Sequence, residues 1–178
     1  LEKGIALRNM DTDQPLSDVR DRIQSANAYL GAWGIVAALE AGADVVVCGR
    51  VTDASLVAGP AAWHFGWAAD DWDRLAGAVV AGHVLECGTQ ATGGNYAFLD
   101  ELPGNGPPGF PIAEVAADGS AVVTKHPGTG GLVSVGTVTA QLLYEIAGPA
   151  YANPDVVARF DTVRVEAAGP DRVRLSGT

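Results

Sequence analysis

The stretch Ala41–Ser55, A-G-A-D-V-V-V-C-G-R-V-T-D-A-S, constrains the fold more than any other part of the chain. After Asp44 the run to Cys48 is uncharged, rich in β-branched valine and bounded by glycines, the pattern of a strand buried on both faces. Gly49, Arg50, Val51, Thr52 and Asp53 then lead into an Ala/Leu/Val segment rather than a tight hairpin. The chain therefore leaves a strand through a polar loop and enters a helix. In open α/β sheets ligands sit beyond the carboxyl ends of the strands, and this loop sets a guanidinium and a carboxylate at that edge.

At 178 residues the chain can bury one sizeable core, or a main domain with a small appendage. A hydrophobic content of 48%, with 23 glycines and 10 prolines, fits a compact α/β protein with many turns and excludes a disordered chain. The net charge of −10 argues against nucleic acid or an anionic membrane as partner, so an anionic substrate needs a local basic spot. Cys48 and Cys87 have no C-x-x-C spacing and read as reduced core thiols. With no signal-peptide pattern and no uninterrupted apolar run of spanning length, the sequence predicts a cytoplasmic protein. A homo-oligomer is expected.

Along the chain, residues 1–24 read as an approach segment, in which Asp11 and Asp13 belong to a solvated turn rather than a calcium loop. Ser25 is a candidate N-cap for a buried helix from Ala26 to Ala41 that stops at Gly42. Asp53 or Ser55 caps a second helix, which Pro60 must kink or end before Trp63. Asp70 and Asp71 start a third, with Leu75, Val79, Val80 and Val84 at helical spacing and an end near Glu86 and Cys87. Pro111–Val115 and Ala121–Lys125 flank an A-D-G turn and predict a hairpin. Thr137–Ile146 reads as a helix, Tyr151–Pro154 as a turn, and 162–167 with 172–175 as a second hairpin.

Three polar loops carry the candidate chemistry. In the first, Arg50 holds a carboxylate or phosphate in a bidentate contact, Thr52 assists, and Asp53 acts as base. The competing reading makes Asp53 a helix cap and Arg50 its ion-pair partner. In the second, Glu86 moves a proton at the start of G-T-Q-A-T-G-G-N, where Gln90, Thr92 and Asn95 hydrogen-bond a carbonyl or amide. Cys87, a lone thiol, reads as structural. In the third, K-H-P-G-T-G-G, Lys125 and the backbone of Gly128, Thr129, Gly130 and Gly131 offer positive charge and N–H donors to an anion. The spacing fits neither a P-loop nor a dinucleotide fingerprint. His126 is the histidine placed for acid/base work, whereas His64 and His83 lie among apolar residues. No paired histidine spacing points to a metal, and the sequence specifies no cofactor.

Several long motifs, C-G-R-V-T-D-A-S-L-V-A-G-P with A-A-W-H-F-G-W, G-H-V-L-E-C-G-T-Q-A-T-G-G-N-Y-A-F, F-P-I-A-E-V, and T-K-H-P-G-T-G-G with T-V-T-A-Q-L-L-Y-E-I, occur here in one order from about Ser25 onward. Together they resemble the acyclic terpene utilisation, or AtuA-like, family. That family's members are longer, so the resemblance implies an internal fragment. It also implies a setting in citronellol and geraniol breakdown, which runs through acyl-CoA thioesters, without carrying over any catalytic residue.

The expected fold is α/β, a mainly parallel sheet with flanking helices, plus antiparallel hairpins in the second half. The expected organisation is the approach segment 1–24, an α/β core over 25–148 with the inserted hairpin 111–125, and a C-terminal hairpin over 149–178 that continues beyond the fragment. The expected function is a catabolic enzyme acting on a carboxylated or CoA-linked branched acyl substrate, with Asp53, Glu86 or His126 moving protons. The alternative is a non-catalytic subunit or scaffold that binds another enzyme of the same pathway. A third reading, a metal-dependent hydrolase, would use Asp53, Glu86 and His126 together.

Overall fold

A computed structural model describes residues 4–104 and 106–178. Its organising element is the helix α3, Trp72–Glu86, in which every residue from Leu75 to Val84 is buried. A helix apolar on all sides must be covered on all sides. The helices α1 (Trp33–Glu40) and α2 (Ser55–Phe65) stack in succession toward α3, α4 (Val135–Leu142) flanks it, and an antiparallel sheet closes another side. Glycines permit the closest approaches. A Cβ on Gly82 would lie 2.6 Å from the Cα of Ala54 at the start of α2, and one on Gly77 would lie 2.1 Å from the Gly119 carbonyl oxygen in the sheet's first turn.

The sheet has the order β1-β2-β6-β5, with β1 Pro111–Val115, β2 Ala121–Lys125, β5 Arg164–Ala167 and β6 Val173–Ser176. Every pairing in it is antiparallel. Both predicted hairpins therefore form, and they join through β2 and β6, with Val123 opposite Val173 in the core. Ala150–Ala152 (β3) and Val157–Arg159 (β4) make a separate antiparallel pair, so Tyr151, expected in a turn, belongs to a strand.

The mainly parallel sheet is not what forms. Gln24–Leu30 and Ala43–Val51 form no strand of a sheet and meet at one parallel bridge, Leu30 to Val51. The backbone groups of Asp44–Gly49 make no backbone hydrogen bonds among the described residues. Val45 and Val47 are 79% and 92% exposed. A valine run specifies a strand only where a neighbouring strand completes its ladder, and here that condition is unmet.

Three helices also differ from their expected boundaries. The helix expected from Ala26 begins at Trp33, because Gly31 and Ala32 are held against Asp155, whose carboxylate accepts the Ala32 N–H at 2.8 Å. α2 runs through Pro60 to Phe65 and ends at Gly66 in the left-handed region, φ 65°. Pro60 and Leu56 lie on the exposed side, so the Leu56 carbonyl that loses its helical partner faces solvent. α4 stops at Leu142, a turn short of the expected end at Ile146, and Glu145 takes a positive φ of 59°.

The K-H-P-G-T-G-G loop is held from within. Lys125, 7% exposed, donates to the Thr129 carbonyl at 3.0 Å and pairs with Asp171 at 3.1 Å. Lys125→Met is expected to lower stability by about 1–3 kcal/mol, because the partners lose their donor. Urea unfolding measures this.

Candidate functional site

The close packing of α2 on α3 sets the end of the first polar loop against the helix that leads into the second. Ala54, the residue after Asp53, rests on Gly82, one helical turn before Glu86. Tyr151 of β3 packs its ring edge-on against His83 of α3, at 5.2 Å. The tyrosine hydroxyl is held above its ordinary value of 10, first by burial and then by the negative charges of Asp53, Glu86 and Glu145. The negative charges of three carboxylates therefore act on one phenol, and the phenol keeps its proton at neutral pH.

Asp53 is exposed and makes none of the described ion pairs or helix-cap bonds, so the cap-and-partner reading of the first loop does not hold there. Thr52 instead shares a 2.6 Å hydroxyl contact with Ser55. Arg50 is exposed and lies over the ring of Tyr29, 5.4 Å from its centroid. Arg50 and Asp53 both line an open cleft of about 580 Å³, whose other walls include Val46, Val51 and Leu56. The cleft thus offers a guanidinium and a carboxylate against aliphatic walls.

On the far side of Glu86 runs a row of amides. Asn95 donates to the Gln141 side-chain oxygen at 3.2 Å and to that of Gln90 at 3.5 Å, and Gln141 donates to the His83 carbonyl at 3.3 Å. Asn95 Oδ1 is buried without a hydrogen-bond partner. Cys87 donates its thiol to Glu86 Oε1, and its pKa is pushed up to about 11, by desolvation first and by the Glu86 carboxylate second. Such a thiol stays protonated, as suits a structural residue.

His83 is 3% exposed, its ring edge-on to Tyr151 at 5.2 Å and to Phe160 at 5.3 Å. Burial lowers its pKa from 6.5, against an opposing pull from Glu86, and Nε2 has no partner. On unfolding, this imidazole protonates more readily than in the folded state. Its contribution to stability is therefore whole above pH 6.5 and is lost as pH falls toward the lowered folded value. The urea midpoint is expected to drop between about pH 7.5 and about pH 5.5, and to drop less in His83→Phe, which keeps the ring packing.

The third loop contributes support rather than an open cradle. The N–H groups of Thr129, Gly130 and Leu132 go to the carbonyls of His126, Pro107 and Thr92, and that of Val133 goes to Asp171. The first turn of α4 is closed by a Ser134–Thr137 capping box. Gly131, φ 78°, lies where a Cβ would come within 2.5 Å of the Thr92 carbonyl oxygen. Thr92 is fully buried and donates to Gly109 at 2.7 Å. Gly128 forms the exposed tip of the turn at φ 79°. His126 is exposed, and none of the described hydrogen bonds or ring contacts ties its side chain to the Tyr151 cluster. No three His, Cys, Asp or Glu side chains among the described residues come together as a metal site, so the hydrolase triad is not assembled.

A family model described as acyclic terpene utilisation family protein AtuA matches residues 1–178. The chain belongs to this family. Membership places it in acyclic terpene utilisation, a catabolic process. No curated protein and no solved structure matches it. Among the described residues, no helix of this family member is long and apolar enough to cross a membrane.

Sequence reasoning passed over Tyr151, Gln141, Tyr144 and Glu145. In T-A-Q-L-L-Y-E-I the pair Gln141 and Glu145 stands at i, i+4 spacing, the one local signal that polar groups share a face. Nothing local marks Tyr151, which reaches the cluster by packing against His83 of α3.

Proposed function

We propose that this chain carries the acid/base site of an enzyme acting on a carboxylated or CoA-linked branched acyl compound. The observation that supports this reading is the cleft lined by both Arg50 and Asp53, with the negative charges of Asp53 and Glu86 both acting on Tyr151. Arg50 holds the substrate's carboxylate or another anionic group in a bidentate contact. Asp53 or Glu86 takes the proton, and the protonated Tyr151 donates a hydrogen bond to the oxygen on which charge develops. The Gln90–Asn95–Gln141 row fixes the wall behind Glu86. His126, Lys125 and Gly128–Gly131 stand outside this machinery. The partner in this reading is a small anionic molecule.

Growth on citronellol tests it, in a strain lacking the gene and complemented with the full-length protein. Asp53→Asn and Glu86→Gln are each expected to abolish growth without lowering the melting temperature. Full growth with both would remove the proposal. One observation favours the second reading, a subunit that binds another enzyme of the pathway: the bare Val45 and Val47, with unpaired backbone about them. Co-purification of a pathway enzyme, with no thermal shift on adding any acyl-CoA, would favour that reading instead.

A further inference from the structure

Arg50 is the cation of the cleft, and its charge is uncommitted. Arg8, Arg74, Arg159 and Arg172 each pair with a carboxylate, whereas none of the described hydrogen bonds or ion pairs takes up the guanidinium of Arg50. What holds it is the ring of Tyr29, whose centroid lies 5.4 Å from the guanidinium carbon. The backbone makes this contact possible. Leu30, the residue after Tyr29, donates its N–H to the Arg50 carbonyl at 3.0 Å and accepts the Thr52 N–H at 2.9 Å, which forms the parallel bridge. Tyr29 and Arg50 are thereby anchored to each other, and Asp53 follows directly on the same bonded segment.

Tyr29 is 53% exposed, so its ring adds little to the core, and it does not line the cleft, so it does not itself reach an occupant. Its described ring contact is with Arg50. A ring against one face of a guanidinium leaves the N–H groups at the edge free, directed in the guanidinium plane. Two parallel N–H···O bonds from that edge match the two oxygens of a carboxylate. Phosphate offers a similar pair of oxygens, and charge decides between them. Asp53 is the only other charged residue among those described that line the cleft, and the whole chain carries a net −10. One positive charge beside one negative suits a monoanion, whereas a phosphate dianion or coenzyme A, with its several phosphate charges, is repelled. Val46, Val51 and Leu56 receive the carbons next to the carboxylate.

We propose that Tyr29 is a positioning residue for Arg50, and that the guanidinium it orients takes the free carboxylate of a small aliphatic acid in preference to a phosphate or a CoA thioester. The inference rests on the acid/base reading and chooses between the two substrate classes that reading leaves open. The stack restricts the arginine before the acid arrives, so less side-chain freedom is lost on binding.

NMR of the full-length protein labelled at arginine Nε, titrated with hexanoate, inorganic phosphate and coenzyme A, reads the stack and the binding together. Arg50→Lys removes one Nε–H signal and so identifies it. In the wild type that signal is expected to carry a ring-current shift that Tyr29→Leu removes and Tyr29→Phe keeps. Hexanoate is expected to move the signal, with an affinity about 3–10-fold weaker in Tyr29→Leu than in the wild type or Tyr29→Phe, while all three melt alike. Phosphate and coenzyme A are expected to move it only at concentrations at least about tenfold higher. Unchanged hexanoate affinity in Tyr29→Leu, no response of the Arg50 signal to hexanoate, or a tighter response to coenzyme A each overturns the inference. Loss of growth in Glu86→Gln beside any of those results spares the acid/base reading. Full growth with Asp53→Asn and Glu86→Gln removes that reading whatever the titration shows.

Discussion

Gly82→Val is expected to destabilise the protein by about 2–3 kcal/mol and to abolish growth on citronellol with it. In an exposed helix a side chain in place of glycine is favourable, because glycine loses the most backbone freedom on folding. Gly34 in α1 shows that case: it is exposed, nothing lies within 4 Å of an added Cβ, and Gly34→Ala is expected to gain about 0.5–1 kcal/mol. Gly82 reverses the sign. Its Cβ would sit 2.6 Å from the Ala54 Cα and 2.8 Å from the Ala54 carbonyl oxygen, backbone atoms that cannot rotate away. The start of α2 must back off from α3, and Asp53, the residue before Ala54, moves with it. Stability and function should thus fall together in Gly82→Val and separate in Asp53→Asn. Chemical unfolding of the three variants, read beside their growth, measures both.

The second large effect is a contrast between neighbours. Glu86→Gln is expected to lower turnover by about 10²–10⁴-fold, the usual worth of a positioned acid or base, whereas Cys87→Ser should leave it within a few-fold of wild type. With its pKa pushed up to about 11, Cys87 is thiolate in only about one molecule in ten thousand at neutral pH. A serine hydroxyl can make the same donation to Glu86 that the thiol makes. Glutamine keeps the shape of Glu86 and the acceptor oxygen for Cys87, and it removes the charge. If Cys87→Ser abolished function and Glu86→Gln did not, the roles would have to be exchanged.

Elements whose partners lie close in sequence were legible in it. The β1–β2 hairpin forms at the predicted residues because the A-D-G turn sets its own geometry, with Gly119 at φ 87° and Asp118 accepting from Ser120. α3 follows its apolar spacing for the same local reason. The valine run Val45–Cys48 misled about the sheet because composition reports what a strand tolerates and not which strand pairs with it. The site divides in the same way. Asp53 and Glu86 were chosen for standing at the ends of elements, and the negative charge of each acts on Tyr151. His126 was chosen for its polar loop, but that loop bonds to itself and to Pro107, Thr92 and Asp171, leaving the imidazole in solvent. Tyr151 was passed over because only packing against His83 of α3, distant in sequence, delivers it.

Titration of Tyr151 tests the central claim, that Asp53 and Glu86 act on one phenol, without any knowledge of the substrate. With tyrosine ring carbons labelled, its ionisation can be followed by NMR in the wild-type full-length protein, in Asp53→Asn and in Glu86→Gln. The account predicts a wild-type pKa above the ordinary 10, moved down toward it by each substitution as a negative neighbour is removed. A Tyr151 that titrates at its ordinary value in the wild type, or that ignores both substitutions, would contradict it.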